Sequence, residues 1–536
     1  MCGCTEKTYW TYKKGKSIIA ELHLVIAFCL LFPGCRKTPE SPDPTTLYYI
    51  EIPDSIVSFN YSYDTLYINS NVSLMDGQLV CRRDSWRESG KNDDAPSSLP
   101  IAEIRHLGEN NYRVILMDSS EYFVYEGSYR LEWRGIIAGD ADDDTGLVVS
   151  SSFKVCKPFF TGLPALVLNT PDAVPIVSKT QWITGAEMVL FDENGHQLYQ
   201  GGLEIKGRGN STWNAPKKPY SLRLDTKAGL FDMLPHRRWV LLANYLDRTL
   251  LRNHLAFFLA NVQGNSFGWT PHGHFVELIL NGKHLGNYYL CEKIGVDENR
   301  INLQNNTSLD ADISFMVEMD TNFDEVNKFR TPVRQLPVMI HEPDENDLTA
   351  EQASYIENYF SRLEQLIYNS NSLSEESYGC LLDLDSYVDY WLINELTGNT
   401  ESWWPKSVFM YRDKGGKLIV GPVWDYDWGT FGKRYENKFC CLDCLWTRQL
   451  LLNGDFRNLA AERWNKLLPG LATVFDEIDR QKSRLSRSAA VDAGMWPNNR
   501  DINGDENLPF EEAVELLKKN LRERMDWISG HIHSIQ

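Results

Sequence analysis

Positive charge is what this sequence has too little of. Its 54 Lys and Arg stand against 73 Asp and Glu, a formal net charge of -19. That deficit excludes a broad, sequence-independent attraction to nucleic acid or anionic lipid, which needs clustered cations on a surface. A small basic phosphate pocket set in an acidic surface is still allowed. Long apolar runs are missing as well: the stretch 22–31 is too short for a membrane-spanning helix, which takes about 20 apolar residues. The one local cysteine cluster, Cys440-Cys441-Leu442-Asp443-Cys444, lacks the second ligand pair that a zinc site would want. Apolar material itself is not scarce. Hydrophobic residues make up 43% and charged residues 24%, with 16 Trp and 25 Tyr, which excludes wholesale disorder and indicates a globular chain.

At 536 residues the chain has room for two or three domains of ~150 residues each. Residues 1–35 read as an export signal: Lys13, Lys14 and Lys16 precede the short apolar run, which has the length of a signal-peptide core. The run ends in Leu31-Phe32-Pro33-Gly34-Cys35, similar to a bacterial lipobox, after which Cys35 would be acylated and tie the mature protein to a membrane. The expected location is therefore outside the cytoplasm, as a periplasmic, outer-membrane or cell-surface lipoprotein. The chain has eleven Cys, and seven remain once Cys2, Cys4, Cys29 and Cys35 are set aside. An odd number cannot all pair, so a local disulfide or buried thiols are expected at 440–444, and no metal is assigned there.

Residues 36–46, rich in Pro, Ser and charge, read as a tether. Over 47–160 short β-type runs at 48–52, 112–116, 129–133 and 147–149, separated by polar turns, predict a small, Ig-like β-sandwich. Its acidic loop, Asp140, Asp142, Asp143 and Asp144, has no calcium-loop spacing and reads as a solvated turn. From 163 to 536 the texture is α+β. Strands are expected at 203–206 and 220–224, a helix at 249–262, and a hairpin of 276–280 and 285–290 turning at Asn281-Gly282, where Asn-Gly supplies positive φ angles. Helices follow at 350–367 and 384–396, strands at 407–412 and 418–420, and a closing helix at 510–528 with Val514, Leu517, Leu521, Met525 and Ile528 at helical spacing.

Three constellations carry chemistry. Lys206-Gly207-Arg208-Gly209-Asn210-Ser211-Thr212-Trp213, followed by Lys217-Lys218-Pro219-Tyr220, sets glycines that allow close backbone approach beside Arg208, Ser211, Lys217 and Lys218, which suit phosphate oxygens. It is neither a P-loop nor the usual kinase glycine-rich loop, and a basic surface turn would look the same. Gly421-Pro422-Val423-Trp424-Asp425-Tyr426-Asp427-Trp428-Gly429 places two carboxylates at i and i+2 past a strand, where they can converge on a hard cation. Asn394 to Glu401 leaves a helix with amide and carboxylate groups just upstream, an order shared with kinase catalytic loops and also with ordinary helix ends.

Read together, these blocks resemble the CotH (spore coat protein H) kinase family. Glu204 to Trp213 with Lys217-Lys218-Pro219-Tyr220 is similar to its opening signature. Trp239 to Thr249 with Leu251-Arg252-Asn253 is similar to a second block, Asn281 to Ile294 to its hairpin, and Gly421 to Asp427 to its Pro-x-Trp-Asp-x-Asp block. The resemblance implies a diverged, two-lobed protein-kinase-like domain behind the β-sandwich, phosphorylating a Ser/Thr-rich protein with ATP and Mg²⁺ or Mn²⁺. It implies that Arg208 with Lys217 or Lys218 holds ATP phosphates, that Tyr289 to Lys293, including Glu292, lines a hinge near adenine, and that Asp425 and Asp427 bind metal. Glu401 takes the catalytic-base position usually held by Asp, and Ser407 the place of an expected Asn. The extra methylene of Glu displaces its carboxylate, and misplacement by about an ångström can cost ~10²-fold in rate. Two readings follow: an atypical protein kinase, or a weak or inactive pseudokinase that binds a ligand at the cell surface.

Overall fold

The computed structural model describes residues 49–52, 56–58, 63–83, 98–99, 101–117, 127–135, 147–156, 161–307, 312–369, 377–432, 437–498, 502–505 and 507–535. The export signal with Cys35, the tether and the acidic loop at 140–144 lie outside them. The first nine strands are β1 (Ile50–Glu51), β2 (Ile56–Ser58), β3 (Tyr63–Ser70), β4 (Gln78–Arg83), β5 (Ser98–Leu99), β6 (Ile101–Gly108), β7 (Asn111–Met117), β8 (Gly127–Gly135) and β9 (Leu147–Cys156). They form a four-stranded sheet, β1-β3-β7-β6, and a five-stranded sheet, β2-β9-β8-β4-β5. Alternation places the side chains: Leu66, Ile68, Tyr112 and Val114 of one sheet share a core with Cys81, Tyr129, Leu131 and Trp133 of the other.

Seven further strands close into a barrel: β10 (Ala165–Asn169), β11 (Ile183–Phe191), β12 (Gln197–Gly207), β13 (Tyr220–Ala228), β14 (His236–Leu242), β15 (Gly273–Leu280) and β16 (Lys283–Glu292). Their order is β10-β11-β12-β13-β14-β16-β15, and parallel pairing of β10 with β15 shuts the ring. Inside lie Leu166, Leu190, Leu203, Ile205, Leu222, Trp239 and Leu290. Strands β14 and β16 read as nearly continuous apolar runs because both faces are covered. Trp239, Leu241, Tyr288 and Leu290 fill the barrel, while Val240, Leu242, Tyr289 and Cys291 pack on the helical body. The turn at Asn281-Gly282 has φ of 52° and 78°, the pair of positive angles that a two-residue hairpin needs.

The body beside the barrel contains the antiparallel sheet β18-β19-β17-β20-β21, made of β17 (Phe315–Met319), β18 (Lys328–Arg330), β19 (Pro337–Glu342), β20 (Val408–Arg412) and β21 (Ile419–Val420). Its helices are α1 (Arg252–Ala260), α2 (Ala350–Asn369), α3 (Leu384–Thr397), α4 (Thr447–Leu450), α5 (Gly454–Leu471), α6 (Val474–Met495) and α7 (Phe510–His531). The architecture is α+β. Helix α1 starts later than its apolar spacing suggests because the Asp247 carboxylate takes the N–H groups of Thr249 and Arg252 and holds 247–251 as a turn. Helix α3 is buried almost all round, opened by Asp383, which accepts from the Ser386 N–H at 2.8 Å, and closed by Gly398 at φ 69°. Among the described residues no helix is long and apolar enough to cross a membrane.

Candidate active site

Strand β12 runs out at Gly207, and residues 208–219 turn back to β13. Gly209 sits at φ +82°, where a side chain would be strained and its Cβ would strike Thr212. The Arg208 N–H donates to the Pro219 carbonyl at 3.2 Å and closes the base of the loop. Arg208 is thereby aimed into a small cleft, lined also by Lys217, Asn244, Trp424, Asp425 and Asp427. Its guanidinium lies 5.6 Å from the centre of the Trp424 ring. Burial lowers its pKa, opposed by the negative charges of Asp425, Asp427 and Glu318. Among the described residues it makes no side-chain hydrogen bond or ion pair.

The facing wall is built by the turn after β21. Tyr426 is fully buried; its N–H donates to Asn253 Oδ1 at 2.8 Å and its hydroxyl to Asn394 Oδ1 at 3.0 Å. Pinning that middle residue inward leaves Asp425 and Asp427 on the cleft side. Asp425 itself has φ 66°, a left-handed conformation that Asp tolerates better than most residues. Asn503 clamps the turn from the other side, accepting from the Gly429 N–H at 2.7 Å and donating to the Asp427 carbonyl at 3.2 Å. Arg252 bridges Asp247 and Asp505 and donates to the Thr430 carbonyl. The sequence block around Asp247, Arg252 and Asn253 is thus a brace for the Asp425–Asp427 turn, a role that its residue types alone did not disclose.

Glu401 stands close to this turn, at the start of a short 3-10 segment after α3, with its N–H held by Asn399 Oδ1 at 3.1 Å. Its carboxyl is pushed up to about 7, first by burial and then by the charges of Asp425 and Asp320, with Lys406 acting the other way. Burial also raises Asp425, and Asp427 is raised further by burial and by the charges of Asp425, Asp247 and Glu401. Asp320 is a member that sequence reading missed. It follows β17, accepts from the N–H groups of Asn322 and Ser407, and is itself raised by burial and by Glu318. Its only sequence signal is one acid at the end of an apolar strand. Ser407 lies at the edge of this group with φ 50°, which is why β20 begins at Val408.

The remaining candidates for phosphate or adenine contact are placed differently. Lys217 lines the cleft but is fully buried, its Nζ donating to Asp492 Oδ1 on α6 at 2.6 Å and to the Asn287 carbonyl. Lys218 turns to the Trp213 carbonyl at 2.7 Å and lies over its ring. Ser211 is exposed, and Glu292 is buried in a pair with Arg300 at 2.6 Å; neither lines the cleft. The Lys217–Asp492 pair therefore ties the cleft floor to α6. Asp492→Ala is expected to destabilise the protein by ~3–5 kcal/mol, because it leaves a buried ammonium without its counter-charge. Urea unfolding measures this, and a loss no larger than that of a surface pair, about 1 kcal/mol or less, would contradict it.

Fold and cleft together define an α+β protein whose site sets a guanidinium on a barrel wall against a group of carboxylates, the charge pattern that suits metal-bound phosphate. A family model described as CotH kinase protein matches residues 205–528. The chain belongs to that family. No curated protein matches it. A solved structure titled "Anomalous substructure of Titin-A168169" aligns over 33% of this chain and 92% of its own at 10% identity, with a TM-score of 0.13, a likeness too low to carry an argument.

Proposed function

We propose that this protein is an atypical protein kinase that moves the ATP γ-phosphoryl group to a Ser or Thr hydroxyl of an exported or surface protein. The observation that carries the reading is the cleft's charge. Arg208 faces Asp425 and Asp427, with Glu401 close to Asp425, and all three carboxyls are raised by burial and by one another's or Asp320's negative charge. Hard divalent cations favour such oxygen donors, so the residues present fit Mg²⁺ or Mn²⁺, held by Asp425 and Asp427. When bound, the metal would neutralise phosphate charge. Arg208 then binds phosphate oxygens, and Lys217, its charge met by Asp492, holds the cleft floor to α6. Glu401 orients the acceptor hydroxyl and takes its proton as the new P–O bond forms and the bond to ADP breaks. The barrel and the helical body serve as the two lobes of a diverged kinase fold. Export, acylation at Cys35 and a spacing or docking role for the first nine strands complete the proposal.

One feature favours a second reading. Glu401 and Ser407 replace the Asp and Asn of the family pattern, which suits a protein that binds nucleotide at the cell surface and transfers phosphate weakly or not at all. Transfer of label from γ-labelled ATP to the protein itself and to a Ser-rich acceptor separates the two: incorporation supports the kinase, and nucleotide binding without incorporation supports the pseudokinase.

A pH effect follows for the metal-free protein. Glu401 is raised from 4.5 to about 7, so its contribution to stability is fully present below its unfolded pKa and is lost as pH rises through the folded value. Mg²⁺ should therefore raise the melting temperature more at pH about 8 than at pH about 5. Equal shifts at both values would argue that the metal binds elsewhere.

A further inference from the structure

Directly behind the Glu401 loop lies a cluster of three buried thiols. Cys440, Cys441 and Cys444 are all unpaired, and Cys440 Sγ is 3.6 Å from Cys441 Sγ. Cys441 and Cys444 bracket a tight turn in which the Cys444 N–H donates to the Cys441 carbonyl at 3.2 Å. A turn of this kind brings its end Cα atoms within about 7 Å, the range a disulfide spans. We propose that Cys441 and Cys444 are a redox-sensitive pair whose oxidation to a disulfide loosens the loop carrying Glu401.

The link to that loop is direct. Reduced Cys441 donates its S–H to the Asn399 carbonyl at 3.1 Å, and Cys444 Sγ shares a hydrogen bond with Ser402 Oγ at 2.5 Å. These two contacts flank Glu401, and Asn399 also holds the Glu401 N–H. Oxidation removes both S–H groups, so the buried Asn399 carbonyl loses its thiol donor and Ser402 its thiol partner, which leaves the two only their 3.5 Å contact with each other. The step is balanced by a disulfide oxidant such as oxidised glutathione: two protein thiols become one disulfide, and the oxidant takes two electrons and two protons to leave two glutathione thiols. Cys440 is the poorer partner, because its Sγ is engaged by the Glu395 carboxylate and the Arg524 guanidinium.

A metal on Cys440, Cys441 and Glu395, whose donor atoms lie within 4.8 Å of one another, is the less favoured use of this cluster. Both Glu395 oxygens are already taken by the N–H groups of Cys440 and Cys441, by Trp391 and by Arg524, and that guanidinium repels a cation.

The structural effect does not depend on the kinase reading; only its consequence for phosphotransfer does. The full chain is equilibrated with reduced or oxidised glutathione, free thiols are alkylated, and disulfides are mapped by peptide mass spectrometry. Hydrogen exchange is followed in parallel at residues 399–403. The expected result is a Cys441–Cys444 bridge with Cys440 alkylated, and roughly tenfold faster exchange in that loop, reversed by dithiothreitol. Cys444→Ser should show no difference between the two buffers, a comparison made within the variant so that any effect of the substitution cancels. Three alkylatable thiols after equilibration with oxidant, a bridge with no change in loop exchange, or zinc protecting the thiols from alkylation would each overturn the proposal.

Discussion

Asp425→Asn is expected to abolish Mg²⁺-dependent ATP binding and to lower phosphoryl transfer by ~10³-fold or more, the scale seen when a preorganised electrostatic group is lost from a reaction centre. Asparagine is chosen over alanine because it tolerates the left-handed backbone at this position, where φ is 66°. The change then removes charge with little added strain. In the native cleft Asp425 lies in the field of Arg208 on one side and of Asp320 and Glu318 on the other. Without that charge the proposed metal would lose its main protein anchor, while Arg208 would still be there to meet phosphate. Calorimetry should accordingly show residual, metal-independent nucleotide binding in the variant. Unchanged affinity for Mg²⁺-ATP would show that Asp425 is not the metal anchor.

Glu401→Gln should lower transfer by ~10²–10⁴-fold while nucleotide affinity stays within a few-fold, because a general base acts on the acceptor and not on ATP. The raised carboxyl, at about 7, adds a sign that a structural role would not. Transfer should fall as pH drops below that value, since protonated Glu401 cannot accept the acceptor's proton, and the glutamine variant should lose that limb. Glu401→Asp tests the departure from the family pattern. If the longer side chain overshoots, the shorter one raises the rate; if transfer falls further, the loop is already fitted to Glu. A glutamine variant that transfers at the native rate would remove Glu401 from the chemistry.

The parts of this fold legible in the sequence are those whose cause is local. Asn281-Gly282 announces its hairpin because two residues set the turn, and α7 announces itself through Val514, Leu517, Leu521, Met525 and Ile528, all of which are buried. Helix α6 does not, because its buried face includes Glu477, Gln481, Ser488 and Asp492, polar side chains that meet His254 of α1 or Asn287 of β16 and interrupt the apolar period. Helix α5 carries Pro469 within it, which reads as a break. Barrel closure rests on pairing Ala165–Leu168 with Glu277–Leu280, a contact between strands more than a hundred residues apart that no local pattern encodes.

The site divides along the same line. Arg208, Asp425 and Asp427, which line one cleft, and Glu401, close to Asp425, each sit in a block that the sequence singles out. Asp320 and the brace made by Asp247, Arg252 and Asp505 are set by tertiary contact, and so is the direction of Lys217. Its charge suggested a phosphate, yet its partner is Asp492, a residue 275 positions away. Lys218, Ser211 and Glu292 share a motif with the cleft but not its lining, because strand alternation and local turns point them elsewhere.

The most direct test of the account is calorimetric titration of the intact protein with ATP, in the presence and absence of Mg²⁺. The expected result is binding that the metal strengthens, through Asp425 and Asp427 on one wall and Arg208 on the other. No binding of ATP or another nucleotide at about millimolar concentration, with or without Mg²⁺, would contradict it, since even a weak site of ~−4 kcal/mol registers on that scale.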